Sequence, residues 1–138
     1  MSHPDLDPAI LEAAAKRRGR PHVYDEIVPS RTALVVIDLQ NAFMRPGAST
    51  LPAMLRGRGI DTVLIAGCMT NMCCDSSARD AVMTDFRTVM VSDCNAARTD
   101  AEHLSALASF LTGFGDVRRS DDLITAFAHV TAVRRAAE

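Results

Sequence analysis

Apolar residues in this chain gather into short unbroken runs rather than alternating with polar ones. Ala33-Leu34-Val35-Val36-Ile37 places five apolar positions in succession and ends at Asp38, and similar runs follow at Thr62 to Ala66 and Thr88 to Ser92. Such runs fit parallel strands covered on both faces. The intervals carry helical signals. Residues 8–18 hold Ile10, Leu11 and an alanine run, 52–58 stop at Gly59, and 71–84 follow the second strand. Thr99-Asp100-Ala101-Glu102 has the form of a capping box and predicts a helix to about Thr112. Val117 marks a short last strand, and Asp121 or Asp122 is placed to cap a final helix. Residues 19–29 read as an irregular linker. Strands alternating with helices predict a parallel α/β sheet.

Composition narrows the picture. At 138 residues and 48% hydrophobic, the chain has material for one core, burying roughly two thirds of its unfolded surface. A net charge of −2 gives no general reason to expect nucleic acid or an anionic membrane surface as partner. Lys16, Arg17, Arg18 and Arg20 read as a solvated helix end. Asp5, Asp7 and Pro8 stand where a signal peptide would need an apolar core, and no apolar stretch approaches the roughly 18 residues of a spanning helix. A soluble, cytoplasmic chain is expected. Cys68, Cys73, Cys74 and Cys94 lack both the spacing of a disulfide framework and the paired C-x-x-C units of a zinc site. No metal or other cofactor is expected.

In parallel α/β sheets, ligands bind beyond the carboxyl ends of the strands. Asp38 ends the first strand, and the loop leaving the second leads to Cys73 in the first turn of a helix. There the unpaired N–H groups and the helix dipole favour a thiolate. If the two strands are neighbours, about 4.8 Å apart, a carboxylate and a thiol share one cleft, as covalent hydrolysis requires. On the residues alone, a cysteine placed like Cys73 is more often a small buried hydrophobe than a nucleophile, and Asp38 equally suits a turn or cap. Asn41 and Phe43 either line a pocket or pack the loop. Cys68 and Cys74 read as packing residues, His103 as structural, and Arg79 as an i, i+4 partner of Asp75.

Ala33-Leu34-Val35-Val36-Ile37-Asp38-Leu39-Gln40-Asn41-Ala42-Phe43 resembles the first-strand motif of the isochorismatase-like cysteine hydrolases. Gly67-x-x-Thr70-x-x-Cys73 with Ser77-Ala78-Arg79-Asp80-Ala81 is similar to that family's nucleophile segment. The likeness continues through residues 93–99 and His103 to Phe114-Gly115-Asp116-Val117. It implies a Rossmann-like, three-layer α/β/α domain over residues 30–138, preceded by a helical extension at 1–29. It further implies hydrolysis of a small amide, ureido or carbamoyl compound through a thioester on Cys73, with Asp38 as proton acceptor. By the same resemblance the Cys68–Met69 peptide is cis, the N–H groups of Met69 and Cys73 form an oxyanion hole, and Asn41, Phe43, Thr70 and Asn71 border the substrate. Thr70 is placed to cap the helix that carries Cys73.

The family's third catalytic residue is a lysine between the two motifs, and here the pattern breaks. The single lysine of the chain is Lys16, upstream of both, and the interval between the motifs is shortened near 46–51. The metal ligands of the related nicotinamidases would also belong to that interval. Removing the family's second and third strands leaves the sheet order 1-4-5-6, with the first strand as an exposed edge. Such an edge needs cover from the N-terminal helix or a second subunit, so a homo-oligomer is expected. The alternative to an amidohydrolase is a catalytically impaired remnant acting as an oligomerisation or binding module.

Overall fold

The computed structural model of the chain describes residues 5–20, 22–37 and 51–137. In chain order these form α1 (Pro8–Arg18), β1 (Thr32–Ile37), α2 (Leu51–Gly57), β2 (Thr62–Cys68), a π-helical turn (Thr70–Cys74), α3 (Asp75–Met83), β3 (Arg87–Ala96), α4 (Asp100–Gly113), β4 (Asp116–Arg118) and α5 (Ser120–Ala137). The four strands are parallel and lie side by side in the order β1-β2-β3-β4. This is the expected order, with β2 beside β1 among the described residues.

Each crossover steps the same way along the sheet, and right-handed connections therefore put α2, α3 and α4 on one face. Val63, Ile65, Met90 and Val117 point to that face and meet Cys74, Ala78, Leu107, Phe110 and Leu111. The alternate residues Leu64, Val89 and Val91 face the other way and meet Ile27 and Leu123, with Tyr24 and Phe127 at the margin. The three-layer expectation holds, with α5 and the segment before β1 as the thinner outer layer. Gly115, between α4 and β4, is required by close approach: a Cβ there would lie 2.5 Å from the Thr88 carbonyl oxygen and 2.6 Å from the Phe110 ring.

The caps are partly as expected. Thr99 accepts the Glu102 N–H at 3.2 Å and opens α4. The cap of α5 comes from elsewhere: Asp93, on β3, accepts the Ser120 N–H at 2.8 Å and its hydroxyl at 2.6 Å. Asp121 and Asp122 instead occupy the first turn, where their charge suits the helix dipole. The third strand also runs beyond Ser92, to Ala96.

α1 packs on α4, and among the described residues β1 pairs with β2 alone. Asp7 caps α1 by accepting the Ala9 N–H, Gly19 closes it in the left-handed region, and Leu6 and Ala14 join the core on the α4 side. Arg17 donates to the Thr112 carbonyl at 2.9 Å. Because α4 runs back from the carboxyl ends of the strands to their amino ends, this contact puts the last turn of α1 near the amino ends. Residues 22–27 are stitched to the same end. Arg118 donates to the Tyr24 carbonyl, Arg87 to that of Glu26, and the Thr88 N–H to the Tyr24 hydroxyl.

Candidate active site

The carboxyl end of β2 is built from a sharp change in exposure. Thr62 to Ala66 are buried, Gly67 is half-buried, and Cys68 is exposed. This corrects the reading of Cys68 as a packing residue: the strand has left the core by that point. Gly67 has φ of 132°, in the region that favours glycine, and the ladder to β3 shifts register between Ile65 and Gly67. Asn95, buried on β3, bridges the irregularity by donating to the carbonyls of Ile65 at 2.9 Å and Val91 at 2.7 Å. The Cys68–Met69 peptide is cis.

The predicted helix over 71–84 divides in two. Its first turn is π-helical, with Cys74 donating to the Met69 carbonyl at 3.2 Å, and α3 follows from Asp75. The Met69 carbonyl also accepts from Met72 at 3.0 Å, so these bonds step over the Cys73 N–H. The wide turn sorts the side chains. Thr70, Cys74 and Ala78 are fully buried, while Met72 and Cys73 are exposed.

Thr70 is not the N-cap. Met69 holds that position without a side-chain bond, and the Thr70 hydroxyl turns inward to share a 2.8 Å hydrogen bond with Nδ1 of His103 on α4. A buried hydroxyl needs a partner, and here the core supplies one. Asn71 stands half-buried on the same turn. Downstream, Arg79 pairs with Asp75 at 2.8 Å, as the spacing predicts. It also lies 3.9 Å over the Phe114 ring and donates to Ser109, tying α3 to α4.

Cys94 sits beside this end of the sheet in a different electrostatic setting. Partial burial and the Asp93 carboxylate push its thiol up, against a weaker pull from the Ser120 hydroxyl. Lys16 does not join the site. It is exposed in the last turn of α1, beside the Arg17–Thr112 contact, and Cys73 lies at the opposite end of the sheet. A strand of this length spans roughly 17–20 Å, well beyond a lysine's reach. Asp38, Asn41 and Phe43 lie outside the described residues; β1 is described to Ile37, whose register partner is Gly67. Among the described residues, no cluster of three or more His, Cys, Asp or Glu could hold a metal ion, and no helix is long and apolar enough to cross a membrane.

Comparison with known proteins decides the family. The isochorismatase domain model matches residues 47–122. The chain belongs to the isochorismatase family. Maleamate amidohydrolase of Pseudomonas putida is 34% identical over 107 residues, covering 76% of this chain and 49% of that relative. Ureidoacrylate amidohydrolase RutB of Pseudomonas savastanoi pv. phaseolicola is 30% identical over 129 residues, covering 92% and 50%. The chain thus spans about half the length of these two curated relatives. Among solved structures, an isochorismatase-like hydrolase from Alkaliphilus metalliredigens superposes with a TM-score of 0.53 at 35% identity, covering 56% of this chain and 43% of the other. A cysteine hydrolase from Pseudomonas syringae pv. phaseolicola gives 0.56 at 27%, covering 59% and 43%. The family-model match contains the turn that carries Cys73 and begins after Asp38.

Proposed function

We infer that this isochorismatase-family chain hydrolyses the C–N bond of a small amide, of the ureido or carbamoyl kind, with Cys73 as nucleophile. The observation that supports this reading is the wide turn at the end of β2, where Cys73 faces solvent and the Met69 carbonyl accepts from Met72 and Cys74 on either side of it. In the reaction, Asp38 takes the thiol proton as sulfur attacks the carbonyl carbon. The oxyanion that forms is held by the N–H groups of Met69 and Cys73. Collapse breaks the C–N bond, the departing nitrogen takes the proton from Asp38, and a thioester remains. Water, deprotonated by Asp38, then cleaves the thioester and returns the thiol.

The placement of Lys16 favours a second, weaker reading, that of an impaired catalyst retained as a binding or oligomerisation module. No lysine among the described residues lies near Cys73 to stabilise a thiolate. The edge of β1, unpaired among the described residues, supports association with a second copy of the chain, since an open apolar strand invites pairing.

Limited iodoacetamide labelling with peptide mass spectrometry tests the nucleophile. Cys73 is expected to react first, ahead of Cys68 and Cys94, with Cys74 protected; earlier reaction of Cys68 or Cys94 overturns the assignment. Assay across ureido and simple amides separates the two readings. Slow turnover that is abolished by Cys73→Ala and indifferent to Lys16→Ala supports the amidohydrolase, and no turnover of any of them supports the module.

A further inference from the structure

We propose that His103, acting through Thr70, is the positioning residue that keeps the turn before Cys73 in its π-helical register. The proposal rests on Cys73 as nucleophile for its functional meaning and on the geometry alone for its structural content. A π turn has one residue more than an α turn and is seldom found without a cause. If the turn relaxed to α, the Met69 carbonyl would accept from Cys73 rather than Cys74. That would commit the Cys73 N–H to the Met69 carbonyl and rotate the Cys73 side chain by about 100° around the helix axis.

The contacts that oppose this relaxation enclose Cys73 on both sides. Upstream, Thr70 is fully buried and its hydroxyl meets His103 Nδ1 at 2.8 Å. His103 is itself only 3% exposed and rides on α4, which Leu107, Phe110 and Leu111 lock into the core. Downstream, Cys74 and Ala78 are fully buried against the same cluster. Hydrophobic contacts fix depth but tolerate rotation, whereas a short hydrogen bond between buried partners is directional. The Thr70–His103 bond is therefore a directional contact that helps set which residues of the turn point inward.

Four variants of the full chain test this by per-cysteine iodoacetamide labelling. Thr70→Val keeps the shape and removes the hydroxyl, and His103→Leu removes its partner. Each is expected to slow Cys73 by about fivefold, the equivalent of one net hydrogen bond of roughly 1 kcal/mol. Cys68 and Cys94 should keep their rates in the same molecules, and Cys74 should stay protected. The double variant should be no slower than either single one. Thr70→Ser and His103→Asn, which retain a polar atom near the lost one, should restore most of the rate. Unchanged Cys73 labelling in Thr70→Val and His103→Leu, with Cys74 still protected, overturns the proposal.

A variant that labels Cys74 has lost the fold, and amide hydrogen exchange in the unaltered chain then decides. The Cys73 amide should exchange faster than that of Cys74, and the reverse order overturns the π register itself. Slow Cys73 labelling in the unaltered chain, beside fast-exchanging Cys73 amide, would remove the nucleophile reading and leave the positioning role intact.

Discussion

Leu34 and Leu64 are register partners on adjacent parallel strands, in runs of nearly the same apolar character, yet Leu64 is 6% exposed and Leu34 is 61% exposed. The difference lies in what each strand is given to pack against. β2 has β1 and β3 as neighbours and apolar side chains on both faces. β1 pairs only with β2 among the described residues, and the outer layer of α5 and Ile27 stops short of it. An apolar run thus records the burial a strand is suited to, while the rest of the fold decides whether that burial is reached.

The largest expected effect separates the two leucines. Leu64→Ala should destabilise the chain by about 2–4 kcal/mol in denaturant unfolding, as truncation of a buried leucine does. Leu34→Ala, measured where the chain is dissociated, should stay within about 0.5 kcal/mol. Equal losses would mean that Leu34 is covered, and would break the comparison.

Next is the attachment of α5. Asp93→Ala should cost about 1 kcal/mol, the usual loss for an N-cap. Burial alone would raise the Asp93 carboxyl, but the Ser120 hydroxyl and N–H, with Arg119, outweigh it and hold it below the ordinary value of 3.8. The buried Asp116 is likewise lowered, because His22 and Arg118 outweigh its burial. A depressed folded value makes the contribution fully present above the unfolded value and lost as pH falls through the folded one. Stability should therefore drop below about pH 4, and Asp93→Asn should flatten part of that decline in acid denaturation curves.

The smallest change in folding free energy should accompany the largest change in association. Light scattering of the unaltered chain at tens of micromolar is expected to show a dimer or larger assembly, and Leu34→Lys should shift it to monomer by placing a charge on the open edge. A monodisperse monomer before substitution would show that the edge is already protected and would sharpen the contrast with β2 into one of degree.

Much of this architecture was legible because it depends on local signals. Apolar runs marked β1, β2 and β3, Thr99 and Glu102 marked the start of α4, and the spacing of Asp75 and Arg79 gave their ion pair. The features that escaped depend on residues far apart in the chain. Thr70 reads locally as a cap, but His103, 33 positions away, draws its hydroxyl inward. Asp121 and Asp122 read locally as caps, but Asp93, 27 positions before Ser120, reaches the helix end first. The exposure of Cys68 follows from where β2 emerges past its neighbours. The position of Cys73 at the end of β2 was readable, whereas its π turn was not, since the extra residue is accommodated by packing on α4. Asp38, Asn41 and Phe43 remain readings of the sequence.

The side-by-side order of the four strands also bears on how the chain comes into being. Every strand after the first docks against the one made just before it, so contacts across the sheet join segments close in sequence. Loop-closure costs stay small under that arrangement, which favours rapid folding for a parallel sheet. On a ribosome emitting roughly 5–20 residues per second, the sheet can be laid down in the order of translation. β2 waits for β3, and β3 for β4, with the last helix covering the outer face of β2 and β3.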